Sequence, residues 1–173
     1  PTDYSIHEDS RLFLYALCKI VKPDLVVETG VAYGISSAYI LQALAENDKG
    51  TLYSIDNVFK PWESLEMIGN AIPSKIQDRW KLITGTSSKK LDELFQSLEK
   101  VDIFLHDSLH TYKNMLLEFQ TAWPFIKNSG FLLSDDVIDN NAFLEFYLAN
   151  KGHPILLENT ENDKTTMGII RKN

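Results

Sequence analysis

Cysteine is nearly absent: Cys18 is the only one in 173 residues. A lone thiol cannot form an internal disulfide, and its neighbours Ala16, Leu17 and Ile20 are apolar. A packed thiol in a reducing compartment is expected, with the cytoplasm as the default location. Long apolar runs are missing as well. None approaches the roughly 20 residues of a membrane helix, and no signal-peptide pattern opens the chain, so no membrane association is expected. Excess positive charge is also lacking, since 17 Lys and Arg face 24 Asp and Glu for a net −7. The basic stretches SSKK and IIRKN are too short to build a nucleic-acid surface, and no nucleic-acid partner is expected. No internal repeat, low-complexity tract or linker interrupts the chain. A single domain over residues 1–173 follows, long enough to bury about 70% of its unfolded surface.

What the chain does contain is a regular alternation of patterns. Residues 5–22 read as a helix laid over a sheet. DLVVETG (24–30) is a β-branched run closed by glycine, followed by an amphipathic helix over 34–48. A strand at 50–57 precedes a helix expected around Trp62–Ala71, after Pro61. WKLITG (80–85) leads to a helix at 87–100, where Leu91, Leu94, Phe95 and Leu98 share helical spacing. VDIFLHDS (101–108) is a fourth strand, followed by a helix near 111–127 bent or interrupted at Pro124. GFLLSDDV (130–137) is a fifth strand, and a helix over 141–152 is stopped by Gly152. HPILLEN and TTMGIIRK, separated by TENDK, predict a closing antiparallel hairpin. The expected fold is α/β: a Rossmann-like three-layer sandwich with a seven-stranded, mostly parallel sheet and a C-terminal antiparallel hairpin.

In such sheets ligands bind outside the carboxyl ends of the strands. The polar residues Glu28, Asp56, Thr86, Asp107 and Asp135 all fall at those ends. ETGVAYGIS (28–36) is a strand-to-helix turn whose Gly30 and Gly34 permit a sharp bend and close ligand approach. Its first position is an acid, which would repel a pyrophosphate but favour a cationic group. Asp56 closes the second strand, where a carboxylate can accept both hydroxyls of a ribose. A nucleoside joined to a cation describes S-adenosylmethionine.

With these residues in view, the chain resembles the class I S-adenosylmethionine-dependent methyltransferases over nearly its whole length. VVETGVAYGIS looks like their first glycine motif and LYSIDN like their ribose-binding motif. The resemblance implies that Glu28, Gly30, Tyr33, Gly34 and Ser36 surround the methionine moiety. Asp56 would take the ribose, Thr86 and Ser87 the adenine side, and Asp107 would also border the cofactor. FLHDSLHTY and LLSDDV resemble a narrower group, the metal-dependent O-methyltransferases of catechol, caffeoyl-CoA and antibiotic-sugar type. Asp107, His110 and Tyr112 fall on their D-x-x-H-x-Y pattern, and Asp135 with Asp136 on their acidic pair. Leu109 departs from many relatives, which carry an acid before the histidine.

Physical chemistry points the same way. Three carboxylates gathered at adjacent strand ends repel one another unless a cation sits among them. Asp107, Asp135 and Asp136 are therefore expected to hold a hard divalent ion, Mg²⁺ first. Such an ion can hold two neighbouring acceptor oxygens, and His110 can take the hydroxyl proton, giving His110 and Asp107 the catalytic roles. His106 is expected to pack beside the strand end. The acceptor is a small hydroxyl-bearing molecule such as a vicinal diol, sugar or catechol. Alternatives are a metal-free small-molecule methyltransferase and a cofactor-binding protein of the same fold without efficient catalysis. A dinucleotide oxidoreductase is disfavoured by Glu28 and the closing hairpin, and a metal hydrolase leaves Glu28 and Asp56 unexplained. The apolar helix at 141–149 offers a homodimer contact.

Overall fold

Along each central strand, successive apolar residues point to opposite faces, so each strand feeds two cores. Val26 joins one core and Val27 the other, and Ile103 and Leu105 lie opposite Phe104; Leu133 and Ile169 likewise oppose Leu132 and Ile170. A sheet with two apolar faces must be covered on both, and the intervening helices do this. The computed structural model describes residues 6–57, 64–150, 153–158 and 166–173. Its elements are α1 (Glu8–Val21), β1 (Leu25–Thr29), α2 (Ile35–Glu46), β2 (Thr51–Asp56), β3 (Trp80–Thr84), α3 (Ser87–Leu98), β4 (Val101–His106), α4 (Tyr112–Ala122), β5 (Ile126–Ser134), α5 (Ala142–Asn150), β6 (His153–Glu158) and β7 (Thr166–Arg171).

The strands form one seven-stranded sheet in the order β3-β2-β1-β4-β5-β7-β6. β1 to β5 pair in parallel, whereas β7 runs antiparallel to both β5 and β6. The expected three-layer sandwich and closing strand pair are therefore present. Leu14 and Cys18 of α1 pack with Ile40, Leu41 and Leu44 of α2 on one face. Leu91 and Phe95 of α3, Met115 and Phe119 of α4, and Phe143 and Phe146 of α5 fill the other.

Three expected boundaries differ. No α-helix occupies 64–71; that segment holds a short 3-10 turn, Leu65–Met67, and a second one follows at Ser74–Arg79. The Gly69 and Ala71 amides bond instead to the carbonyls of Ala32 and Tyr33, which draws the segment onto the β1–α2 turn. The remainder of that expected helix, including Trp62, lies outside the described residues, as do Gly152 and the TENDK turn. Helix α4 stops at Ala122, where Pro124 converts the chain to a 3-10 turn over Trp123–Phe125. β5 starts at Ile126, ahead of the expected 130, and its pairing with β4 shifts register between Val101 and Ile103.

Gly168 on β7 lies directly beneath the Phe143 ring, where a Cβ would come 2.5 Å from the ring carbon. Gly168→Ala is expected to cost about 1–3 kcal/mol by overpacking. Denaturant unfolding would read this, and adding Phe143→Leu should recover part of the loss.

Candidate functional site

The carboxyl ends of β1, β2, β4 and β5 converge because the first four crossovers all return the chain to parallel strands. The end of β1 and the turn after it are bound to both neighbouring strands, β4 and β2. Asp107 N donates to Thr29 O (2.9 Å), and Gly30 N to Ile55 O (3.0 Å). At Gly30, φ is +82° and a Cβ would stand 1.9 Å from Asp107 O, so no other residue fits there.

Glu28 is fully buried. Its Oε1 accepts from Ser37 Oγ (2.5 Å) and Ser54 Oγ (2.6 Å), while Oε2 has no hydrogen-bond partner. Burial pushes its carboxyl up to about 7, with the charge of Asp56 adding to the rise and the two serines opposing it. Asp56 Oδ2 accepts from the amides of Val31 and Ala32, both at 2.8 Å, and Oδ1 from Asn57 N at 2.6 Å. Asp56 thus fixes the shape of the glycine turn. Tyr33 and Gly34 lie in that turn, with Gly34 N bonded to Val31 O, and Ser36 is buried one residue into α2. Thr86 is exposed at the start of α3 and contacts Ser88 Oγ at 3.3 Å. Ser87 is the half-buried first residue of α3, and its side chain contributes to the lowered pKa of Glu118.

The second half of the site begins at Asp107. Burial, followed by the charges of Asp135, Glu28, Asp136 and Asp56, raises its carboxyl well above the ordinary range. Asp135 is buried, with Oδ1 unpartnered, and is pushed up to about 6 by burial and by Asp136, against a lowering from His110. His110 places Nδ1 3.3 Å from Asp136 Oδ2 and Nε2 3.8 Å from Asp107 Oδ1. Burial disfavours its cation, but the hydrogen bond to Asp136 and the charges of Asp136, Asp135 and Asp139 outweigh this and raise its pKa.

Among the described residues, the group whose ligand atoms all lie within 4.8 Å of one another is His110, Asp136 and Asp139. It differs from the expected trio, sharing only Asp136. The chain reverses just after β5, with Asp136 at φ +48° and Asp139 N bonded to Asp136 O, and this folds Asp139 back toward His110. Asn140 holds the two loops together by donating to His110 O at 3.2 Å. Tyr112 is exposed and donates to Glu145 Oε2 at 2.6 Å.

His106 is wholly buried, as expected of packing, yet it faces Glu118 at 2.6 Å. Glu118 is a residue that the motifs alone do not reveal. Its signal is an acid on the apolar stripe Met115, Glu118, Phe119, Ala122, whose spacing marks the buried face of α4. Ser37, Ser54 and Asp139 also enter the site without a sequence signal of their own.

Solved structures share this architecture at low identity. An O-methyltransferase from Bacillus cereus with bound SAH superposes with TM-score 0.75 at 14% identity, covering 98% of this chain and 84% of that one. The O-methyltransferase TomG from Streptomyces achromogenes, with SAM, gives 0.74 at 14% identity, covering 99% and 83%. The SAH-bound methyltransferase PaMTH1 of Podospora anserina gives 0.72 at 16% identity, covering 99% and 81%. No curated protein shows significant sequence similarity to the chain. No helix among the described residues is long and apolar enough to cross a membrane. Residues 27–137, which hold the glycine turn, Asp56, the Asp107–His110 loop and the acidic pair, match the methyltransferase domain family, and the chain belongs to that family.

Proposed function

We propose that the protein is an S-adenosylmethionine-dependent O-methyltransferase of a small hydroxyl-bearing molecule, with a divalent cation, Mg²⁺ first, at its acidic loops. The acceptor is a vicinal diol, sugar or catechol. The observation that carries this reading is the junction of two unlike half-sites at one sheet edge. A glycine turn with the unpartnered Glu28 Oε2 lies against a loop bearing Asp107 and His110. The cofactor, when bound, supplies an electrophilic methyl group on a sulfonium. Glu28 and the turn of Gly30, Tyr33, Gly34 and Ser36 would face its cationic amino-acid part, Asp56 the ribose, and Thr86 the adenine side, with Asp107 between cofactor and acceptor.

The donor chemistry fits a cation. Asp107 and Asp135 are held in mutual repulsion, and Asp135 Oδ1 lacks a partner. Asp107, Asp135 and Asp136 would hold the ion as hard oxygen donors, and it would supply a Lewis acid for the acceptor hydroxyl. His110, oriented by Asp136, takes the hydroxyl proton on Nε2, which is buried and unbonded. A metal-free transferase is the second reading, favoured by the ion pair that already occupies His110 and Asp136. A buried free thiol fits our assignment to the cytoplasm, and exposed Leu144 and Leu148 on α5 support a homodimer contact.

Calorimetric titration of S-adenosylhomocysteine and of Mg²⁺ tests both halves. Asp56→Ala removes charge-assisted bonds and should weaken cofactor binding by about 10-fold to 100-fold. Asp107→Asn should weaken Mg²⁺ binding while Asp139→Asn leaves it nearly unchanged. The reverse pattern would assign the ion to His110, Asp136 and Asp139, and no Mg²⁺ binding at all would leave the metal-free reading.

Glu28 supplies a pH test. Its folded pKa of about 7 lies above the ordinary 4.5, so the fold keeps a proton that the unfolded chain has released. Stability contributed at this residue is therefore present at low pH and lost as pH rises from about 4.5 through 7. The loss is on the order of 3 kcal/mol at full ionisation. Melting of the ligand-free protein should fall between pH ~5 and pH ~8. Glu28→Gln should make that profile shallower, the raised carboxyls of Asp107 and Asp135 supplying the remaining slope, and an equally steep profile in the variant would refute the assignment.

A further inference from the structure

Glu118 is buried on α4 among apolar neighbours, and its carboxylate gathers partners from across the sheet edge. Its Oε2 accepts from Thr29 Oγ1 at 2.5 Å, at the end of β1, and lies 2.6 Å from His106 Nδ1, at the end of β4. Its Oε1 accepts from Ser108 Oγ at 2.8 Å and Asn114 Nδ2 at 3.0 Å. Asn114 extends the network by donating to Leu109 O and Ser108 Oγ, both at 3.1 Å.

Helix attachment does not require this arrangement, because Met115, Phe119 and Ala122 already bury the same face of α4. Buried carboxylates are costly unless fully bonded, and apolar replacements often serve stability as well or better. The partners share a location instead. Thr29 immediately precedes Gly30 of the glycine turn, His106 and Ser108 flank Asp107, and Leu109 precedes His110.

We propose that Glu118 is a positioning residue that holds the glycine turn and the Asp107–His110 loop in one fixed register. This deepens the methyltransferase reading above and rests on it. Both half-sites hang from the same carboxylate, one through Thr29 and the other through Ser108 and Asn114. A cofactor settling on Gly30 therefore bears on the same anchor that holds the backbone leading into His110. Neither half needs to touch Glu118 for this to hold.

The test uses Glu118→Gln beside Phe95→Leu, a core variant on α3 away from the site that controls for lost stability. In the wild type, the His106 Nδ1 proton held against Glu118 should give a downfield imidazole resonance, and saturating S-adenosylhomocysteine should shift it. Glu118→Gln should fold, lose that resonance and bind S-adenosylhomocysteine about tenfold more weakly, as expected when an orienting bond behind a site is removed. Phe95→Leu should retain both the resonance and the affinity at whatever melting temperature it reaches. A wild-type resonance unmoved by saturating ligand would overturn the proposal, as would wild-type affinity in Glu118→Gln. Glu118→Asp, with the charge kept one methylene short, should recover part of the affinity if the variant amide disturbs folding. A wild type that shows the resonance but binds no S-adenosylhomocysteine would overturn the function reading itself, and this inference with it.

Discussion

The contact on which the rest depends is the one between the end of β1 and the end of β4. These strands are adjacent in the sheet but far apart in sequence, and the chain order reverses between them. At such a reversal the crossovers leave in opposite directions and open a crevice above the sheet. Asp107 N on Thr29 O closes the two backbones at 2.9 Å, and the missing side chain at Gly30 lets them touch. That contact, with the Glu118 bonds beneath it, brings the glycine turn and the Asp107–His110 loop together. Under the proposed function, their separate chemistries, one suited to a cation and nucleoside and the other to a proton and a hydroxyl, become a single site there.

The two edges of the sheet use acids in different ways. At the amino end, Asp102 accepts the amides of Asp24 and Leu25 and pairs with Lys127 at 2.8 Å, while Asp24 pairs with Lys49 at 3.1 Å. Those carboxylates are neutralised by the chain itself and hold strand starts in place. At the carboxyl end, among the described residues, no Lys or Arg ion pair reaches Glu28, Asp107, Asp135 or Asp136. Glu118, lying just beneath, shows what full bonding does to a buried acid. Burial raises its pKa, yet His106, Ser87 and Thr29 outweigh this and bring it down to about 2. Glu28 and Asp107 move the other way because their surroundings supply less than burial takes.

The fold was legible in the sequence because strand and helix periodicities alternate cleanly, and a tight terminal strand pair cannot be parallel. The segment after Asp56 was not, because its conformation is set by bonds to the carbonyls of Ala32 and Tyr33, far away in sequence. The clustering of polar groups was legible where a polar residue coincides with a strand end, as at Glu28, Asp56 and Asp107. It was hidden where a residue acts through packing geometry. Asp139 enters through a chain reversal after β5, which no local pattern announces. Glu118 left only a weak trace, an acid in an apolar helical stripe, and its partners could not be named without the fold.

Local rules hold through both cores, so the places where they fail carry information. Among the described residues, five buried side-chain polar atoms have no hydrogen-bond partner, and four belong to Glu28, His106, His110 and Asp135. The fifth is Arg11 Nε, whose guanidinium lies over the Tyr39 ring on the helical face. Four independent defects have no structural reason to gather at one sheet edge, since each costs about 1–3 kcal/mol of unmet hydrogen bonding wherever it sits. All four are acceptors or potential acceptors, since the Nδ1 atoms of both histidines already face carboxylates, and under the proposed function they complement a ligand bringing positive charge and transferable protons.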